Sequence, residues 1–356
     1  MTATHRAPRA WLQRTARGLL WLGNALCALV GMLWGAGALW FHTMPYQGVA
    51  LAVWCVLWAI AVWRIARSRR PRTLWMSMVV LVVPLLLWWQ KLLPQQHRIW
   101  ADDVAHITRI HTANSGSEVV TLDDVRNFTW RSETDYTPRW EQRSYDLNQL
   151  QSVDMAVSYW MGPAIAHTLV SFGFADGEHV VFSFEIRKEK TESFDALAGF
   201  FKRYELALIA ADERDILAVR TNARGEQVYL YRVDMAPDAM RGLFRAYAEQ
   251  AAQLHAQPRW YHTLTANCTT VVWDMAQRLV GGLPLDWRLL ASGYLPEYLR
   301  DINALTPNQS LESLRAAGDI TQRAQQWQPT VGADAKAASI DFSRAIRQGI
   351  PPLHTP

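Results

Sequence analysis

The chain has 356 residues, half of them apolar, with 19% charged residues and 18 Trp. Residues 1–93 hold nine Arg, one Lys and no Asp or Glu, whereas 94–356 hold all 32 acidic residues against 26 basic ones. The overall +4 therefore averages a +10 segment and a −6 segment, which excludes a uniformly basic nucleic-acid binder, and the composition excludes disorder, collagen and a disulfide scaffold.

The division implies a membrane anchor, 1–93, followed by a water-exposed domain, 94–356. A charge-free stretch near 18–41 is long enough to cross hydrocarbon as a helix, and two further apolar stretches follow near 46–65 and 73–93, the last containing Pro84. Ten of the Trp lie within 1–93, with Trp40, Trp88 and Trp89 at predicted span ends, where indole favours the water–lipid boundary. A cleaved signal peptide fits poorly, because more spans follow the first. Arg6, Arg9, Arg14 and Arg17 precede the first span; Arg64, Arg67, Arg69, Arg70 and Arg72 lie between the second and third. The intervening loop His42 to Gln47 has no Lys or Arg. Positive-inside orientation then predicts a multi-pass inner-membrane protein with a cytoplasmic N-terminus and, after three spans, an external C-terminal domain.

That domain is large enough for one sizeable core. Alternation predicts strands near 119–122, 167–174, 179–187, 205–211, 215–220 and 227–233. Helical spacing predicts helices near 100–110, 146–158, 193–201, 236–254, 268–280 and 307–326, with an irregular tail from 327. Mixed elements without strict alternation predict an α+β fold.

Of three cysteines, Cys27 and Cys55 lie in predicted spans, which leaves Cys268 alone in a domain facing an oxidising compartment. It sits in Thr265-Ala266-Asn267-Cys268-Thr269-Thr270, opening a helix with an apolar stripe at Val272, Met275, Ala276 and Leu279. Asn267 or Thr265 supplies a cap. A thiol in a first helical turn feels the positive end of the dipole, which favours thiolate. The plainer alternative is a Cys that fills core space on the same stripe.

A thiolate nucleophile needs a base, usually His. The domain offers His97, His106, His111, His167, His179, His255, His262 and His354. His167 opens the strand HTLVSFGF, which the turn Asp176-Gly177 joins to HVVFSFEIR. Matching the apolar faces (Val170, Phe172, Phe174 with Val180, Phe182, Phe184, Ile186) pairs even-numbered residues. His167 and Glu185 then share the other, more polar face, where a carboxylate can orient the imidazole. The alternative partner for Glu185 is a neighbouring cation such as Arg187. His262 is the rival base, nearer in sequence but in a loop. His106 and His111, five apart, give no metal spacing. The runs Arg187-Lys188-Glu189-Lys190 and Asp212-Glu213-Arg214-Asp215 read as solvated turns. The absence of a phosphate loop, of a Gly-x-Ser-x-Gly elbow and of Cys-x-x-Cys, with an acidic domain, argues against nucleotide, serine-hydrolase and nucleic-acid functions.

Several motifs together resemble the periplasmic domain named for Lnb: AHTLVSFGF at 166–174, FEIR at 184–187 and NCTT at 267–270. VRNF at 125–128, YDL at 145–147, DILAVRTN at 215–222 and DFSRAIR at 341–347 add to the likeness, which spans most of 102–351. Name-giving members are bacterial lipoprotein N-acyltransferases, and the domain resembles circularly permuted papain-like (NlpC-type) enzymes in which His precedes Cys. The resemblance implies Cys268 as nucleophile and His167 as base; Glu185 as orienting residue comes from strand register. It implies a Cys-dependent acyltransferase that needs no metal or organic cofactor. A membrane phospholipid would be the donor, an amine such as a lipoprotein N-terminus the acceptor, and backbone N–H groups at the start of 268–280 would hold the oxyanion. Two other functions compete: a papain-like cell-wall amidase or endopeptidase using the same dyad, and a non-catalytic membrane-tethered binding domain.

Overall fold

The computed structural model describes residues 7–42, 46–68, 71–112 and 117–353. Arg6, Arg69, Arg70 and His354, named above, lie outside the described residues. The chain divides into two compact units, Met1–Pro94 with Leu197–Arg203, and Gln95–Ala196 with Tyr204–Pro356.

The first unit contains three helices, α1 (Ala7–Trp40), α2 (Gln47–Ser68) and α3 (Pro71–Lys91). Among the described residues, Trp21–Trp40 and Gln47–Ile65 are long and apolar enough to cross a membrane, whereas the apolar part of α3, Trp75–Lys91, is shorter. On that measure two helices, rather than the expected three, are long and apolar enough to span. The helices meet at Gly35, where an added Cβ would run into the Trp54 indole and Leu85. A small residue at that crossing lets the backbones approach closely. Trp54 Nε1 donates to the Met32 carbonyl at 3.1 Å, and Trp58, Leu39 and Leu85 complete the packing. The segment 197–203 counts with these helices, a division the sequence reading did not make. Phe201 stacks on Phe41 at 5.2 Å, and Lys202 Nζ donates to the Trp89 carbonyl at 2.8 Å.

The second unit is built on an eight-stranded sheet. Its strands are β1 (Arg109–Thr112), β2 (Val119–Arg126), β5 (Trp140–Asp146), β6 (Leu150–Met161), β7 (Ile165–Phe174), β8 (His179–Arg187), β9 (Glu205–Ala211) and β10 (Gln227–Arg232), while β3 (Thr129–Trp130) and β4 (Tyr136–Thr137) form a separate small ribbon. The order is β1-β2-β9-β8-β7-β6-β10, with β5 also on β2. Pairings are antiparallel except for β2 against β9. The remaining helices are α4 (Glu213–Ile216), α5 (Pro237–Ala256), α6 (Thr270–Val280), α7 (Leu295–Asp301), α8 (Leu311–Gly318), α9 (Thr321–Gln326) and α10 (Ala335–Ile346). The α+β class is thus observed.

The expected hairpin register is the observed one: Val170 faces Phe182 and Phe172 faces Val180. On that even-numbered face Phe172, Phe182 and Phe184 pack against Phe244 and Tyr247 of α5, with ring centroids 4.6–5.9 Å apart. The opposite face was expected to be polar and is instead covered as well, with Leu169, Ser171, Val181 and Ser183 all buried.

Burial on both faces accounts for the main misreading. Residues 146–158 were expected to be helical, yet β6 runs through 150–161 as an inner strand buried on both sides over most of its length. An inner strand shows no two-residue alternation, and its apolar run imitates a helix. The predicted helices at 100–110 and 193–201 are single tight turns, Asp102–Val104 and Ala198–Phe200. The predicted strand 215–220 is α4 followed by a π-turn at Val219–Ala223. The predicted helix 307–326 is α8 and α9, and the irregular tail contains α10, capped by Asp334 accepting from the Ala337 N–H at 2.7 Å.

Neither charged run is a solvated turn throughout. Arg187 is buried, donates to the carbonyls of Val104 and Ala105 at 3.1 and 2.7 Å, and lies over the Trp100 ring. Asp212, Glu213 and Asp215 have no exposed surface. Ser171 and Arg347 bond to Glu213 at 2.6 Å, and Arg347 also reaches Asp154 at 2.8 Å. These paired charges are what cover the second face of the sheet.

Candidate active site

Cys268 is placed by its neighbour. Asn267 Oδ1 accepts from the N–H groups of Thr269 and Thr270 at 2.9 and 2.8 Å, and its carbonyl accepts from Val271 at 3.3 Å. By hydrogen bonding Asn267 is the N-cap of α6, and Cys268 is the first residue inside it. The apolar stripe behind, led by Val271 and Met275, seats the helix in the core.

The structure brings Cys268, His167 and Glu185 together. His167 Nε2 lies 3.1 Å from Glu185 Oε1 and 2.7 Å from Ser183 Oγ, and Ser183 Oγ donates to Glu185 Oε1 at 2.7 Å. The His167 side chain also hydrogen-bonds the Cys268 side chain. Arg220 Nη2 meets the same Glu185 oxygen, Oε1, at 3.0 Å, and its Nη1 reaches Glu226 at 3.4 Å. Glu226 in turn accepts from Ser158.

The electrostatics favour an ion pair. Burial alone would push the Cys268 thiol up, but the His167 imidazolium, the Thr168 N–H and the Thr269 hydroxyl bring it below its ordinary value. Burial would likewise lower His167, and Glu185 overrides it, so His167 is pushed up to about 9. Burial would raise Glu185, but His167 and Arg220 hold it well below the usual carboxylate range. The imidazolium, raised, persists until pH passes about 9, and the thiolate, lowered, persists down to its own depressed pKa. Between those limits the resting pair is thiolate and imidazolium, which is what a thiol nucleophile requires.

Glu185→Gln removes the main influence holding the proton on His167. The imidazole then loses that proton at lower pH, and Cys268 loses its cation. The pH profile of Cys268 alkylation by iodoacetamide should move to higher pH by about one unit. An unchanged profile would mean that Glu185 does not act through His167.

The other candidates go elsewhere. His262 closes the turn to Ala266, its Nδ1 accepting from Leu264 N at 3.3 Å. His106 and His111 lie beside Asp124 and Asp123, and no group of three or more metal-binding side chains occurs among the described residues. Arg187, the alternative partner for Glu185, serves the backbone at Val104 and Ala105 instead. The expected oxyanion donors need revision: the Thr269 and Thr270 N–H groups are spent on Asn267, leaving that of Cys268 itself. Sequence reasoning missed Ser183 and Arg220. Ser183 was legible as the odd-numbered neighbour of Glu185 on its strand, but Arg220 was hidden in a segment read as strand.

Beside the site, the start of α6, the end of α5 and the loops 259–265 and 285–290 enclose a cleft of about 650 Å³. Leu264, Val271, Trp273, Leu285, Trp287 and Leu290 share its wall with Gln250, Gln253, Arg259, Asp274, Arg278 and Asp286, and Cys268, His167 and Glu185 do not line it. Leu285 and Trp287 are 82% and 62% exposed.

A mixed α+β domain with a buried Cys–His–carboxylate cluster at a helix N-terminus defines a candidate thiol-dependent site. A family model described as the Lnb N-terminal periplasmic domain matches residues 136–293, so the resemblance read from the motifs holds over that segment. The motifs at 125–128 and 341–347 fall outside it. No curated protein and no solved structure matches the chain. The described location of that domain and the two apolar helices together fit an inner-membrane protein with a periplasmic domain.

Proposed function

We propose that this chain is a membrane-anchored thiol acyltransferase. The observation that carries the reading is the cleft beginning at Thr270 and Val271, immediately after Cys268 and Thr269. Its Leu and Trp side chains suit an acyl chain, and Arg259, Arg278, Asp274 and Asp286 on the same wall suit the charged headgroup of the lipid that carries it.

The Cys268 thiolate attacks an ester carbonyl of a phospholipid, and the C–S bond forms. As the C–O bond breaks, His167 gives its proton to the leaving lysophospholipid oxygen. The Cys268 N–H faces the developing oxyanion. An amine such as a lipoprotein N-terminus then attacks the thioester; the C–N bond forms, the C–S bond breaks, and the proton lost by nitrogen returns to His167. Thiolate and imidazolium are restored. The test is intact-mass spectrometry of detergent-purified protein mixed with phospholipid, wild type beside Cys268→Ala. A gain of one acyl chain on wild type alone, released by hydroxylamine, is expected. No adduct, with Cys268 still readily alkylated, would move the site to a peptide or cell-wall substrate. No adduct and no alkylation would leave a binding domain with a structural Cys.

We further propose that α3 is a third crossing. Its 17-residue apolar stretch is at the short end of what spans hydrocarbon. A cytoplasmic, Arg-rich N-terminus and a periplasmic domain require an odd number of crossings. In a cysteine-free background, a membrane-impermeant maleimide added to spheroplasts should label Gln142→Cys and spare Arg67→Cys. The reverse pattern, or labelling of both, would sink this topology.

A further inference from the structure

The domain also carries a smaller apolar pocket of about 100 Å³, open to the surface as the cleft is and lined in part by the same residues. Its wall includes Met155 of β6, Thr168 and Val170 of β7, and Thr269, Val272 and Ala276 at the start of α6. The polar atoms around it are engaged with one another. Trp273 Nε1 donates to the Tyr298 hydroxyl at 3.1 Å, and that hydroxyl donates to the Pro284 carbonyl at 3.0 Å. The Thr168 and Thr269 hydroxyls face each other at 3.4 Å. A pocket so lined offers water few partners and suits an apolar group.

Its position is informative. Thr168 follows His167 and Thr269 follows Cys268, so the cavity opens one residue from each member of the pair. Trp273 and Leu289 line both cavity and cleft. An apolar pocket of this kind, one residue from Cys268 and from His167, is space that an apolar part of a ligand can fill.

The geometry points to an acyl-chain site: the cavity takes up a segment of a fatty chain attached to the Cys268 sulfur, and its volume sets which chains are accepted. At about 30 Å³ for a water-sized group, it admits about three methylenes. The Trp273–Leu289 wall is where the chain passes between cavity and cleft. This inference rests on the acyl-thioester reading and adds to it the residues that select the chain, Ala276 and Val272 among them.

The test attaches chains to Cys268 without acyl transfer. Alkyl methanethiosulfonates react with a thiolate by forming an S–S bond and expelling methanesulfinate. In full-length, detergent-purified protein with Cys27 and Cys55 replaced by Ser, the methyl and decyl reagents are compared. Ala276→Phe, which fills the cavity, should leave the methyl rate unchanged and lower the decyl rate about tenfold, the scale on which apolar pockets discriminate chain length. Val272→Ala should raise the decyl rate. Ala276→Phe slowing both reagents alike through misfolding is met by the milder Ala276→Leu, which should show the same selective loss. Decyl-to-methyl ratios that stay constant across wild type, Ala276→Leu and Val272→Ala would overturn the inference. If the ratios shift as expected while no acyl thioester forms from phospholipid, the chain site stands and the donor assignment fails.

Discussion

Cys268→Ala should abolish lysophospholipid release while the domain still melts cooperatively. The substitution removes one sulfur from a residue already 7% exposed at the head of α6, a packing loss of about 1 kcal/mol. Asn267, which caps the helix, is untouched. His167→Ala should be equally inactive, because residues that act as one unit fail together, each loss costing on the order of 10⁴-fold or more. Its fold should also survive, for a reason visible in the site. Glu185 keeps Arg220 at 3.0 Å, so the carboxylate is not left unpaired. In His167→Ala, alkylation of Cys268 at neutral pH should slow, since the thiol has lost the cation that lowers it. Undiminished lipid turnover in Cys268→Ala would remove it as the nucleophile, and loss of cooperative melting there would make the sulfur a packing atom.

The largest effect on stability is expected far from the thiol, at Asp215→Ala. Asp215 is wholly buried and accepts from Arg126 Nε and Nη2 at 2.9 and 3.1 Å, from the Phe128 N–H at 2.8 Å and from Trp130 Nε1 at 2.7 Å. Truncation leaves the buried Arg126 guanidinium without its counter-charge. Breaking one side of such a pair costs about 3–5 kcal/mol, a large share of a typical domain's stability. Urea unfolding of Asp215→Ala should show a much lower midpoint, and Arg126→Met added to it should recover part of the loss. A midpoint equal to wild type would mean that this carboxylate is not holding the β2–β3 corner.

What was legible in the sequence follows from how each element is buried. The β7–β8 hairpin was readable because large aromatic residues alternate on one face and a Gly turn fixes its length. Matching those faces was enough to put His167 and Glu185 on one face, and the Cys268 helix was readable from Asn267 and its stripe. β6 was not readable, because an inner strand covered on both sides loses the alternation that marks a strand. Arg220 was out of reach for a related reason. It sits on a π-turn just after the buried apolar residues Leu217 and Val219, and such a run gives no period from which to place its side chain. The charged turn at 212–215 was misjudged because sequence shows charge but not the partners, here Arg126, Arg143 and Arg347, that allow it to be buried.

Cys268, His167, Glu185, Arg220 and Glu226 form a single file of alternating sign, thiolate, imidazolium, carboxylate, guanidinium, carboxylate. In the proposed acyl transfer, acylation of the sulfur would delete the charge at one end of that file and leave the rest in place. The imidazolium then has one neighbouring anion fewer, while Arg220, on the same Glu185 oxygen, still opposes its charge. His167 thus holds its proton less tightly as the thioester forms, when the departing oxygen needs one. When an amine later displaces the sulfur, the returning thiolate restores the affinity that draws a proton back. Under the proposed reaction the file would serve as a timer whose setting is the covalent state of one sulfur atom.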